Sequence, residues 1–239
     1  MFQKDCFSDK RFLITGASSG LGAAIALELN ALGAEIIAIA RDSKKLESKR
    51  DLATYKERFI PISKDISEYV SLDKWALNLA KEYGSFDGAV LSVESATAIF
   101  NVNYFGNLQI LKGLLDKRAK SVSGASFVWI SSNASVKAQK GLSNYSATKA
   151  GVNAAVKSIA LEIAPKYRIN AISPGFVKTE MIESWSKIYD KEYIEAMDKA
   201  YPLGIGEVGD ITPLVCFLLS ESSRRITGQN IIIDGGGSL

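Results

Sequence analysis

Seven short runs that are apolar on both faces, separated by stretches of helical period, constrain this chain more than any other feature. They are Arg11–Thr15, Glu35–Ala40, Arg58–Ser63, Gly88–Val93, Ser126–Ile130, Arg168–Ser173 and Asn230–Ile233. Between them, Leu21, Ile25, Leu29 and Leu32 form one apolar stripe at helical spacing. Leu72, Trp75, Ala76, Leu79 and Tyr83 form a second, and Val152, Val156, Ile159 and Ile163 a third. A strand with no polar face needs cover on both sides, and strands joined through helices run parallel. The expected fold class is α/β, a doubly wound sheet of about seven parallel strands flanked by helices on both faces. No linker, repeat or low-complexity tract breaks the pattern, so residues 1–239 are expected to form a single domain. Phe176–Tyr201 fits least well, being helical in pattern but poor in core positions.

Composition then narrows the chemistry. The chain has no histidine, which excludes a Ser-His-Asp triad, a Cys-His pair and any His-ligated zinc. Acid–base chemistry near neutral pH is left to carboxylates, Lys, Tyr, Cys or a cofactor, and no metal site is expected. The balance of 29 basic against 26 acidic residues, a net charge of +3, is no nucleic-acid footprint. No apolar run reaches the ~18 residues of a membrane span, and Met1–Lys10 has no signal-peptide core. Cys6 and Cys216, far apart, read as reduced structural thiols in a cytoplasmic protein.

In an open α/β sheet, ligands lie beyond the carboxyl ends of the strands, and the motifs follow strands here. After the first comes Thr15-Gly-Ala-Ser-Ser-Gly-Leu-Gly22. Gly16 suits a tight turn, Gly20 a close backbone approach to a pyrophosphate, and Gly22 the seating of the next helix on the sheet. The loop lacks the Gly-Lys-Ser/Thr ending of a nucleotide triphosphatase. The second strand ends in Ala40-Arg41-Asp42. An acid at position 40 would bind an unmodified ribose, whereas a guanidinium at 41 can grip a 2′-phosphate. NADP is therefore favoured over NAD, unless Asp42 pairs with Arg41 and silences it. Asp65 could meet an adenine amino group or serve as a helix N-terminal acid. Tyr145 and Lys149, four apart, share a helix face, and Ser132 follows a buried strand. An ammonium beside a phenol stabilises the phenolate, which makes proton exchange feasible without histidine.

Together these residues resemble the short-chain dehydrogenases/reductases in their compact, Rossmann-type form. The likeness also takes in Val-Asn103-Tyr-Phe-Gly106, Asn170-Ala-Ile-Ser-Pro-Gly175 with Thr179 beyond it, and Ile226-Thr-Gly-Gln with Ile233-Asp-Gly-Gly236. The resemblance implies hydride transfer between the nicotinamide and a carbonyl or alcohol carbon of a small molecule. It implies Tyr145 as general acid/base, Ser132 on the substrate oxygen and Lys149 on the nicotinamide ribose. Asn103 would anchor a water of the proton relay, and Thr179 would meet the carboxamide. Gly16, Ser18, Ser19, Gly20, Leu21, Gly22, Arg41, Asp65, Ile66, Pro174, Gly175 and Val177 complete the implied cofactor site, with Tyr145 and Lys149.

The chain also departs from the family. The expected Asn-Asn-Ala-Gly after the fourth strand is replaced by Ser92-Val-Glu-Ser95, and about a dozen residues before Asn103 are missing. Ile205 stands where relatives often carry Arg. The lowered wall predicts an open cleft covered by a lid within Phe176–Tyr201, carrying Trp185, Ile188, Tyr189 and Tyr193. The apolar faces of the helix after Asn103 (Leu108, Leu111, Leu114, Leu115) and of the helix of Tyr145 exceed what one side of a sheet should cover. The resemblance, in a family that commonly pairs these two helices across a dyad, implies a homodimer or homotetramer. The alternative function is a non-catalytic dinucleotide-binding member acting through protein contacts.

Overall fold

Side-chain alternation along the central strands decides the layering. In β1 (Arg11–Thr15), Leu13 joins one core while Phe12 and Ile14 join the other. In β2 (Glu35–Ala40), Ile37 and Ile39 fall on the first side, Ile36 and Ala38 on the second. The computed structural model describes residues 2–92, 99–119, 124–179 and 191–239.

The remaining strands are β3 (Phe59–Ser63), β4 (Gly88–Leu91), β5 (Ser126–Ile130), β6 (Arg168–Pro174), β7 (Val177–Lys178), β8 (Gly206–Glu207) and β9 (Asn230–Ile233). Seven form one parallel sheet in the order β3-β2-β1-β4-β5-β6-β9. Pro61 cannot donate to a ladder, in keeping with the edge position of β3. The fold is Rossmann-like, and all seven expected strands are present with ends shifted by a residue or two. The expectation did not include the short parallel pair β7–β8, closed by Gly206 N–H to Phe176 C=O at 2.9 Å.

Helices α1 (Gly20–Ala31), α2 (Ser43–Leu52) and α7 (Val208–Leu219) cover one face through Ile25, Leu29, Leu46, Val215 and Leu218. Helices α3 (Leu72–Glu82), α4 (Asn107–Leu114) and α5 (Ser143–Ile163) cover the other through Leu72, Leu111, Leu114, Val152 and Val156. A seventh, α6 (Lys191–Ala200), has no buried residue.

One expectation is corrected here. The leucines around α4 are no surplus: Leu111 and Leu114 are buried in the chain's own core, and Leu108 and Leu115 pack partly against it, in a layer where α3 packs against α4. Cys6 and Cys216 are both free, and burial pushes the Cys216 thiol up to about 12. Among the described residues no helix is long and apolar enough to cross a membrane, and no group of three His, Cys, Asp or Glu could hold a metal ion.

Candidate functional site

The strand order reverses direction between β1 and β4, and the candidate residues gather beyond the carboxyl ends of these and the neighbouring strands. The β1–α1 loop makes its turn at Gly16 and enters the helix at Gly20, both left-handed with φ of +71° and +54°. A Cβ on Gly22 would run into the Gly16 carbonyl, so only glycine lets α1 begin this close to β1. Ser19 is the N-cap but makes no side-chain capping bond, and no acid stands in the first turn. The first amides of α1 thus keep donors and a positive dipole end for an anion. Ser18 and Leu21 lie half-buried on either side of this entry.

Thr179 closes the loop from above. A Cβ on Gly20 would lie 3.8 Å from the Thr179 side chain, and Thr179 Oγ1 is buried with no hydrogen-bond partner in the described structure. Thr179 is delivered by Pro174 and Gly175 at the end of β6 and by Val177, which is pinned in β7. Gly175 has no room for a side chain, since its Cβ would meet Asp234 at 2.7 Å. These residues fit a dinucleotide: an uncapped helix N-terminus and a glycine approach for its phosphates, with an orphaned hydroxyl beside them.

Arg41 leaves the tip of β2 exposed and makes no ion pair with a described carboxylate. Asp42 is otherwise engaged, capping α2 by accepting from Lys45 N–H at 3.0 Å. Asp65 accepts from Ser67 N–H at 2.8 Å. That amide holds its carboxyl below the usual range, with the Ser67 hydroxyl, Arg41 and Lys64 adding to it. Ile66 is buried beside it.

Lys149 and Tyr145 meet at the tip of β5. Lys149 is 1% exposed, and its ammonium donates to the Ile130 carbonyl at 3.0 Å while lying 5.5 Å from the Tyr145 ring centroid. Ser131 Oγ donates to the Lys149 carbonyl at 3.1 Å, so strand and helix hold each other. Ser132 opens a short 3-10 turn, Asn133–Ser135, by accepting from Ala134 N–H at 3.2 Å, which leaves its own hydrogen to donate. Tyr145 is half-buried one turn before Lys149. Asn103 is buried in a widened π-helical turn, Asn101–Gly106, whose Tyr104 ring stacks on Trp129 of β5 at 5.8 Å.

Sequence reasoning missed the supports of these groups. Asn133 donates to Asp234 at 3.3 Å and Tyr201 at 3.4 Å, tying the Ser132 turn to the C-terminal segment. Asn153 donates to Ser135 Oγ at 2.7 Å, and Ser135 in turn donates to the Ser132 carbonyl. Asn153 falls about two turns beyond Tyr145 on the same helix, a polar residue flanking the stripe of Val152 and Val156, which is the signal that could have found it. The shortened segment from Glu94 onward, and Trp185, Ile188 and Tyr189 of the expected lid, lie outside the described residues; Tyr193 in α6 is 43% exposed.

The family model described as enoyl-(acyl carrier protein) reductase matches residues 16–238. The chain is 31% identical over 243 residues to the L-xylulose reductase of Mus musculus, covering 95% of this chain and 96% of that one. It is 29% identical over 254 residues to the vibriobactin-specific 2,3-dihydro-2,3-dihydroxybenzoate dehydrogenase of Vibrio cholerae, covering 97% of each. A glucose/ribitol dehydrogenase-type short-chain dehydrogenase/reductase from Brucella melitensis superposes with a TM-score of 0.89 at 25% identity, over 99% of this chain and 100% of its own.

Proposed function

From its membership of the short-chain dehydrogenase/reductase family, an oxidoreductase family, we propose that this chain transfers a hydride between NADP(H) and a small carbonyl or alcohol substrate, with Tyr145 as general acid/base. The observation that carries the proposal is the buried Lys149 ammonium, anchored on Ile130 and set against the Tyr145 ring. The bound dinucleotide supplies or accepts the hydride. Ser132 donates to the substrate oxygen, and Tyr145 protonates that oxygen in the reducing direction. Lys149 holds the ribose hydroxyls and favours the phenolate that remains. Asn103 anchors the water that returns the proton.

The first turn of α1 with Gly16, Ser18, Ser19, Gly20, Leu21 and Gly22 would hold the pyrophosphate. Asp65 and Ile66 would flank the adenine, and Pro174, Gly175, Val177 and Thr179 the nicotinamide. NADP is preferred because position 40 carries no ribose-binding acid and Asp42 is committed to α2, which leaves Arg41 for a 2′-phosphate. The test is a panel of ketones, aldehydes, ketopentoses and 3-oxoacyl thioesters, each offered with NADPH and NADH and followed by absorbance. Turnover of at least one carbonyl class with NADPH is expected. Absence of turnover across the panel, with NADPH bound, would overturn the reading.

A further inference from the structure

The turn that carries Asn103 is held by a buried amide to which no role has yet been given. Asn107, the first residue of α4, is 1% exposed. Its Oδ1 accepts from the Thr15 hydroxyl at 3.0 Å, at the tip of β1. Its Nδ2 donates to the Val102 carbonyl at 3.1 Å and reaches the Asn103 carbonyl at 3.5 Å. Thr15 Oγ1 also accepts from Ser92 N–H at 2.9 Å, the first residue past β4. The chemistry fixes the direction of every bond. Ser92 can only donate, so the Thr15 hydrogen goes to Asn107 Oδ1, and a flipped amide would set oxygen against two carbonyl oxygens.

The Asn107 side chain therefore joins the widened turn to the end of β1, and through Thr15 to the residue past β4. The turn also has apolar and steric contacts. Tyr104 stacks on Trp129, and Gly106 lies so close to the Ile66 carbonyl that a Cβ would collide with it. Rings and backbone can limit how far the turn moves, but they do not set its rotation or its register along the sheet. Directed hydrogen bonds do.

We propose that Asn107 is a positioning residue for the reaction: it fixes the turn Asn101–Gly106 against β1 and β4, and so sets where Asn103 stands in the proton relay. The inference rests on the reading of Asn103 as a relay residue. Without the Asn107 amide the turn loses its bonds to the tip of β1, and Asn103 shifts while Tyr145, Ser132 and Lys149 stay where β5 and α5 hold them. A shift of about 1 Å at a group of this kind costs on the order of a hundredfold in rate.

The experiment compares Asn107→Leu, Asn103→Ala and the unmodified protein by NADPH calorimetry, by steady-state kinetics on a carbonyl from the panel, and by hydrogen exchange over residues 99–110. Asn107→Leu is expected to lower kcat between about tenfold and a hundredfold, with KM and NADPH affinity changed less than about twofold. The solvent deuterium isotope effect on kcat should rise, because proton delivery becomes slower, and exchange should quicken in residues 99–110 only. Asn103→Ala should give a similar kcat loss and isotope effect without the change in exchange. Normal kcat in Asn107→Leu beside a damaged Asn103→Ala overturns this proposal alone. Normal kcat in Asn103→Ala overturns the relay reading and this proposal with it. A uniform loss of kcat, KM and NADPH affinity also overturns it, since that is general loosening. If Asn107→Leu does not fold, the near-isosteric Thr15→Val removes the same anchor from the strand side and Thr15→Ser restores it. Equal kcat in these two variants overturns the proposal.

Discussion

Arg41 and Tyr145 show how differently two residues of one site can be read. Arg41 depends on its neighbours: a guanidinium after a strand grips a phosphate only if the next acid is engaged elsewhere. Asp42 is so engaged, on Lys45 N–H. Ala40→Asp is therefore expected to invert or erase the preference for NADP(H), because a carboxylate at the strand tip repels a 2′-phosphate and accepts from an unmodified ribose. Calorimetric titration of both cofactors checks this; tighter NAD binding by the unmodified protein would sink the assignment. Tyr145 needs less context, since Lys149 one turn away on the same face already supplies its partner. Its spacing was legible. What the sequence did not disclose is that the Lys149 ammonium is buried and shared with the Ile130 carbonyl.

At the scale of elements, Asp42 also has a price of its own. Removing an N-cap leaves an amide of the first turn without its acceptor, so Asp42→Ala should cost about 1 kcal/mol, read as a lower urea midpoint at unchanged slope. The strands were legible because burial on both faces leaves unbroken apolar runs, and β1 to β6 and β9 lie where those runs predicted. The pair β7–β8 was not, since two residues carry no period. Nor was the fate of the α4 leucines, because a stripe on one helix does not reveal that α3 lies against it. Likewise the Thr15–Asn107 bridge joins positions 92 apart, a distance over which no local pattern runs.

For the whole molecule, the absence of histidine becomes a thermodynamic statement. No side chain here has an ordinary value between about pH 5 and 8, so stability should be level from about pH 5 to 7. Below that it should fall. Asp116, through Arg118, Asp65, through Ser67, and Asp234 are all held under the usual carboxylate range. For Asp234, burial works the other way and is outweighed by hydrogen bonds from Ser238, Asn133 and Gly236. A lowered folded value contributes stability that is present above the unfolded value and lost as pH falls through the folded one, so the decline begins near pH 4. Cys216 acts in the opposite sense: its thiol, raised by burial from 9.0 to about 12, favours the fold below pH 9 and loses that contribution as pH climbs toward 12. Urea melts across this range test the profile, and a steep slope between pH 5 and 7 would contradict it. Self-association as a dimer or tetramer, which we also propose, fits the exposure of Phe100, Phe105 and Val70 rather than the α4 leucines. Light scattering should give a multiple of 25.8 kDa, and a mass near 25.8 kDa at micromolar concentration would count against it.

The central claim is that Tyr145 hands over a proton during hydride transfer, and Tyr145→Phe tests it most directly. The substitution keeps the ring against Lys149 and deletes only the hydroxyl. With a substrate from the panel and saturating NADPH, single-turnover NADPH oxidation should slow by about two to four orders of magnitude, the usual contribution of general acid catalysis, while NADPH affinity stays within about twofold. Oxidation at nearly the unmodified rate would contradict the account.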